Sequence, residues 1–303
     1  MPSPMGGEAL AARGKELGVT LHLGAHKTAT SHFRKLLLKN APLLEAHQLA
    51  LPDALTIRRE ITKQLPMLAP DQTLNAEQNG IAHRLAAGRA RVHILDENIS
   101  PARIFQERRM YPRAAMRVGR ALHLLPDCQM RLFLAIRNPV SFVVSAYLET
   151  VRNTGFLSFE TYLDQTPLAE IRWARMVNEI RAVAGDVPIF VWQYEDYLEL
   201  IPQLVALTLG LEQHARPELL ALDEVVRPGM SAKALSEMER QNVQKIKRSD
   251  GRKIQAIMDR FPRSPDSAGP QVLTLEQISI LDKNYRQDIE TIGNISGVTL
   301  ITP

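Results

Sequence analysis

The chain has 303 residues, of which 45% are hydrophobic and only 5% aromatic, and its 37 Lys and Arg against 33 Asp and Glu leave a formal charge of +4. That excess is spread thinly and does not demand a nucleic-acid partner. A single cysteine, Cys128, excludes an intrachain disulfide and a cysteine-built zinc site, and no apolar run reaches membrane-spanning length.

The length suits one large α/β domain, read as a flexible tail over 1–18 and a single domain over 19–303. The tail has no apolar core of a signal peptide, so the expected location is cytoplasmic. The first predicted strand, 19–23, ends at Gly24. The tight turn Ala25-His26-Lys27-Thr28-Ala29 follows, and a helix is expected over 30–40. Next come a helix over 73–89 with Asp71 as its cap, a strand over 92–95, and a helix over 111–125 that stops at Pro126. A strand over 131–136 runs into Arg137-Asn138-Pro139, and Pro139 suits the first turn of a helix over 140–152. A helix over 168–184, a strand over 187–192 and a helix over 197–209 continue the alternation. Such alternation predicts a mainly parallel sheet with right-handed crossovers and ligands beyond the carboxyl ends of its strands.

Past residue 213 the strand signal fades, so 19–212 reads as an α/β nucleotide-binding core and 213–303 as a mainly helical part. Helices are expected over 231–246 and 252–261, and the Pro-, Ser-, Asp- and Gly-rich stretch 262–270 reads as a mobile loop. Thr274 caps a helix that runs to about 291, and a short strand closes the chain at 298–301.

Two segments carry chemistry. A strand that ends at Gly24 and turns directly into a helix gathers free amides and the positive end of the helix dipole, an anion site to which Lys27 adds a charge. The spacing is not that of a Walker A loop, because Gly24 precedes Lys27 by only three positions and Ala29 stands where a second glycine would fall. Arg137, at the end of a later strand, offers a planar charged fork, and Ser145 lies six residues into the helix that Pro139 starts, under two turns along it. Taken alone, Arg137 is equally at home capping a helix or pairing a carboxylate. Glu97, in Asp96-Glu97-Asn98 after the strand 92–95, is a candidate base, with His26 its rival.

Together the two segments resemble the sulfotransferases that use 3′-phosphoadenosine 5′-phosphosulfate, over about residues 19–210. The His26-Lys27-Thr28-Ala29-Thr30 form is closest to bacterial sulfotransferase-like proteins. The resemblance implies a P-loop-like three-layer α/β/α fold with a central mainly parallel sheet and a helical C-terminal elaboration. It implies that Lys27, Thr28, Ala29, Thr30 and Ser31 hold the 5′-phosphosulfate, that Arg137 and Ser145 bind the 3′-phosphate, and that Arg227 and Lys233 close over the nucleotide. The family usually has glycine at the position of Ala29, and alanine strains the loop if that position needs a positive φ. The implied activity is transfer of a sulfuryl group to a hydroxyl or amine, with 3′,5′-phosphoadenosine as product and no metal required. The acceptor is a small molecule, a carbohydrate or a lipid-linked glycan, in a pocket shaped by 40–90 and 213–290. The alternatives are a P-loop-type kinase of small metabolites and a non-catalytic nucleotide-binding protein of the same fold.

Other features read as structural. His22, His26 and His32 span a strand, a loop and a helix, so no metal is expected there. The basic stretch 245–253 lacks aromatic residues and reads as a solvated helix face. Trp173 and Trp192 read as core or pocket wall. No G-x-S-x-G, H-E-x-x-H or G-x-G-x-x-G motif is present.

Overall fold

In the computed structural model, residues 16–69, 72–101, 103–222, 229–243, 250–264 and 269–303 are described. Their strands are β1 (Gly18–His22), β2 (Leu49–Ala50), β3 (Arg91–Leu95), β4 (Phe105–Gln106), β5 (Arg109–Met110), β6 (Gln129–Ile136), β7 (Ile189–Gln193) and β8 (Val298–Ile301). Six of them form one sheet in the order β2-β3-β1-β6-β7-β8, every pair parallel. The remaining two, β4 and β5, make an antiparallel hairpin.

The sheet is covered on both faces, which is why its central strands are nearly continuous apolar runs. Val19 and Leu21 of β1 share one core with Leu132, Leu134 and Ile136 of β6. The helices Ala114–His123, Pro139–Thr154, Trp173–Ala184 and Leu275–Gly293 close that core. The alternate residues Phe133, Ala135 and Trp192 enter a second core with Phe33, Leu36 and Leu37 of the Thr30–Lys39 helix and Leu200 and Leu204 of the Tyr197–Leu209 helix. The result is the expected three-layer α/β/α arrangement.

The strand order places the site. From β1 the chain leaves toward β2 and β3, then crosses back to β6 on the other side of β1 and continues outward to β7. At the carboxyl ends of β1 and β6 the outgoing connections therefore diverge. That divergence opens the crevice in which ligands of such sheets bind. Lys27 follows β1 and Arg137 follows β6.

Several elements differ from the sequence reading. The helix expected over 73–89 breaks at Gly80 into Ala76–Asn79 and Ile81–Ala86. Asn75, in a capping box with Gln78, starts the first piece, while Asp71 lies outside the described residues. The helix expected from 168 begins only at Trp173, whose amide donates to the buried Asp288 of the Leu275–Gly293 helix at 2.6 Å. Leu168–Glu170 is a separate 3-10 turn. Thr274 caps the Leu275–Gly293 helix as expected, in a capping box completed by Gln277. The last strand, β8, pairs with β7 and ties the C-terminal residues to the main sheet. Ser231 caps the Ala232–Arg240 helix. Residues 244–249, with most of the basic stretch, and 265–268 of the proline-rich loop lie outside the described residues.

Candidate anion-binding site

The loop after β1 is built onto β6. The Leu23 amide donates to the Phe133 carbonyl (2.8 Å), the Ala25 amide to Ala135 (2.9 Å), and the Ala135 amide back to Gly24 (2.6 Å). Gly24 has a φ of 93°, and a Cβ there would stand 3.0 Å from Cβ of Glu97. The position therefore admits only glycine, and it draws the loop tightly against the end of β3. Thr28 is buried, and its hydroxyl donates to the Ala25 carbonyl at 2.7 Å. The hydroxyl proton of Thr28 thus serves the turn itself.

Ala29 ends the turn as the N-cap of the Thr30–Lys39 helix, at φ 62° and ψ 19° in the left-handed region. Alanine pays a steric cost there of about 1–2 kcal/mol. Ala29→Gly removes that cost and adds about 0.5–1 kcal/mol of unfolded-chain entropy. Urea unfolding is expected to show a net gain of about 0.5–1 kcal/mol.

The amino end of this helix has no side-chain cap and no acidic residue in its first turn. The hydroxyl of the buried Thr30 has no hydrogen-bond partner, and Ser31 is exposed beside it. An uncapped helix start with an unpartnered buried hydroxyl has the donors to hold an anionic group.

Lys27 is the first charge at this end, its Nζ lying 3.4 Å from Glu149 Oε2. Its carbonyl accepts from Arg137 Nη1 at 2.7 Å, so the Arg137 side chain lies against the backbone of the Lys27 turn. Arg137 Nε donates to Ser141 Oγ (2.8 Å), its guanidinium lies 4.5 Å from the centre of the Tyr194 ring, and its carbonyl accepts from Trp173 Nε1 (2.8 Å). Among the described residues no carboxylate forms a salt bridge with Arg137. Burial lowers its pKa, with Tyr194 and Glu195 opposing the shift from a distance. The corner behind it is rigid. Asn138 donates to Glu195 Oε1 through its amide (2.9 Å) and to Asp282 Oδ1 through its side chain (2.8 Å), and Tyr285 donates to Glu195 Oε2 (2.9 Å).

Ser141, Ser145 and Glu149 recur every fourth residue of the Pro139–Thr154 helix and so share one face. Ser141 meets Arg137 and Glu149 meets Lys27, with half-buried Ser145 between them. The sequence reading had Arg137 and Ser145 converge on one group; the side chain that Arg137 itself bonds is Ser141, one turn before Ser145. It did not find Glu149 at all.

On the other side of the loop, Asp96 is buried and fully engaged. It accepts from the Thr62 hydroxyl (2.7 Å) and from Asn98 Nδ2 (2.8 Å), with Arg58 Nε at 3.5 Å. Glu97 stands free of hydrogen bonds among the described residues. Burial first, and Asp96 second, push its carboxyl pKa up, while Lys27 and Arg58 pull the other way. Arg58, at the start of a π-helical turn (Arg58–Thr62), is a further cation near the site that sequence reasoning missed. His26 is neutral near pH 7, because burial lowers its pKa to about 4. Such an imidazole is a weaker base than its ordinary value of about 6.5 suggests.

The three histidines of this region stay apart. His22 packs on His93, His26 on Tyr111 and His32 on Tyr197. Lys233 is exposed in the first turn of the Ala232–Arg240 helix, with no described contact to the loop. Arg227 lies outside the described residues. A cavity of about 20 Å³ beside Arg91, Arg131 and Thr208 lies at the opposite, amino-terminal edge of the sheet and is too small for a nucleotide.

Fold and geometry together define an α/β protein whose candidate anion-binding residues lie at the switch point of a parallel sheet. No protein-family model matches the chain, and no curated protein matches it. It is similar to the crystal structure of a sulfotransferase from Alicyclobacillus acidocaldarius, at 16% identity, 80% of this chain and 94% of that chain covered, and a TM-score of 0.40. It is also similar to the sulfotransferase domain from the curacin biosynthetic pathway, at 13% identity, 89% and 98% covered, and a TM-score of 0.41. At this level of likeness the assignments below rest on the residues themselves.

Proposed function

We propose that the protein transfers a sulfuryl group from 3′-phosphoadenosine 5′-phosphosulfate to a hydroxyl or amine of a small-molecule, carbohydrate or lipid-linked acceptor, in the cytoplasm. One observation carries this reading. Arg137 is a half-buried guanidinium with no carboxylate partner among the described residues, and it is bonded to the backbone of Lys27. A partly desolvated cation that forms no salt bridge is costly, and an anionic group of a ligand would relieve that cost. The free amides of residues 30–32 and the orphaned Thr30 hydroxyl supply a second anion-binding end. A nucleotide with separate 3′- and 5′-anions suits this pair.

In the transfer, an acceptor lone pair forms a bond to sulfur while the S–O bond to the 5′-phosphate breaks and leaves its electron pair on that phosphate. Lys27 and the helix start would hold the 5′-end and counter the charge that grows there. Arg137, with Ser141 and Ser145, would hold the 3′-phosphate. Glu97, whose raised pKa makes it the better base of the two candidates, would take the acceptor proton. Glu97→Gln with undiminished turnover would remove it from that role and leave the rest standing. No described helix is long and apolar enough to cross a membrane.

Calorimetry tests the assignment. 3′,5′-Phosphoadenosine is expected to bind at least about tenfold more tightly than AMP, the value of one charge-assisted contact. Arg137→Ala is expected to erase that difference while AMP affinity stays nearly unchanged. Equal affinities in the unaltered protein would overturn the 3′-phosphate assignment.

A further inference from the structure

We infer that His26 is held as the tautomer protonated on Nε2, a neutral N–H donor to an oxygen of the transferred group or the acceptor, and that Tyr111 is the positioning residue that fixes it. The identity of that oxygen rests on the sulfuryl-transfer reading; the tautomer does not.

Tyr111 is fully buried. It follows the β4–β5 hairpin directly, and its amide is fixed to the Ile104 carbonyl at 2.7 Å. Its ring packs against Phe142 and Trp173 and stacks on the His26 imidazole, with centroids 5.9 Å apart and planes 18° from parallel. Its hydroxyl lies 2.8 Å from His26 Nδ1 and 3.4 Å from the His26 amide.

Counting donors decides the tautomer. If Nδ1 carried the proton, it and the His26 amide would both donate to the Tyr111 oxygen. The buried phenol proton would then have no acceptor, and the Nε2 lone pair would also go unmet. If Nε2 carries the proton, the phenol donates to Nδ1, the amide donates to the phenol oxygen, and one group alone remains: the Nε2–H. That nitrogen is buried and meets no partner at hydrogen-bond distance, and a side-chain interaction with Asn98 favours a ring that carries a proton on this side. The polar and charged groups that act on this ring are Asn98, Asp96, Lys27 and Arg58, all around the carboxyl ends of β1 and β3. Leaving one buried donor unpaired is tolerable where a ligand oxygen arrives to accept it. A neutral imidazole is suited to donate to an oxygen gathering charge.

The test has two readouts. In ¹⁵N-labelled protein at pH 7, two-bond ¹H–¹⁵N correlations of His26 are expected to show protonated Nε2 and bare Nδ1. Tyr111→Phe keeps the stack and removes the hydroxyl, so the tautomers are expected to mix. A protonated Nδ1 in the unaltered protein, or a pattern unchanged in Tyr111→Phe, would overturn the inference. For the donor role, His26→Ala is expected to lower conversion of the donor to 3′,5′-phosphoadenosine by about tenfold or more. His26→Gln retains an N–H in place of the imidazole and is expected to recover most of that loss. Glutamine as poor as alanine would sink the donor role. A wild-type protein that converts no donor would sink the sulfuryl-transfer reading instead, and the NMR result then decides this inference alone.

Discussion

Lys27→Met is expected to cut donor turnover by two to three orders of magnitude, about 3–4 kcal/mol of lost transition-state stabilisation. Binding of 3′,5′-phosphoadenosine is expected to weaken by about tenfold or less. Turnover is read as conversion of the sulfated donor to 3′,5′-phosphoadenosine, with water or an added phenol as acceptor. The asymmetry follows from when the charge appears. The leaving phosphate becomes more negative as the S–O bond breaks, so a cation at the helix start gains most in the transition state. Methionine keeps the length of the side chain. The turn should persist, because it is held by Arg137 on the Lys27 carbonyl and by Thr28 on the Ala25 carbonyl. Methionine would take the same left-handed backbone that Lys27 already adopts.

The Glu149 contact does not weaken this expectation. Its oxygen is 3.4 Å from Lys27 Nζ, and the two side chains are 34% and 41% exposed. Ion pairs in such exposure are worth about 0–1 kcal/mol, and a dianionic ligand can displace that easily. Turnover of Lys27→Met within threefold of the unaltered protein would sink the role given to Lys27.

The parts of the fold that sequence made legible were those with local causes. Residues 197–209 form a helix with the expected ends despite Pro202 inside it, and 298–301 form the expected strand. The helix over 73–89 failed because Gly80 interrupts it: Ala76–Asn79 is polar and buries no side chain, and the apolar face belongs to Ile81–Ala86 alone. The two-residue β2 and the β4–β5 hairpin are too short to leave a pattern.

The site divides in the same way. Gly24, Lys27 and the helix start share one turn and could be read together. Arg137 could be flagged, but its neighbour could not: its side chain turns back to the first helical turn and reaches Ser141. Glu149 is 122 positions from Lys27, and Tyr111 is 85 from His26. Only the strand order and the hairpin bring those pairs together. The strain at Ala29 was legible as a condition, and the positive φ that the condition required is what the turn adopts.

Acidification to about pH 5 is expected to remove several kcal/mol of stability through two histidines beneath this site. His22 of β1 and His93 of β3 are buried with 2% and 0% exposure, His93 Nε2 lying 3.4 Å from His22 Nδ1. Phe33, Phe133 and Trp192 surround His22, and the outer nitrogens, His22 Nε2 and His93 Nδ1, have no partner. Burial lowers the pKa of His22 to about 3 and that of His93 well below its ordinary value, with His22 and Arg34 adding to the latter. Both rings are therefore neutral in the folded chain, whereas the unfolded chain binds protons below about pH 6.5. Between the two limits the unfolded state holds more protons, so stability falls as pH falls. Each ring contributes about 2 kcal/mol of loss at pH 5, and the pair about 4 kcal/mol. His26, lowered to about 4, adds in the same direction. A total stability of about 5–15 kcal/mol leaves little margin against such a loss. Urea midpoints measured from pH 7 to pH 5 are expected to drop steeply in the unaltered protein and much less in His22→Leu/His93→Leu. Parallel pH dependences in the two proteins would show that the buried pair does not set the acid limit.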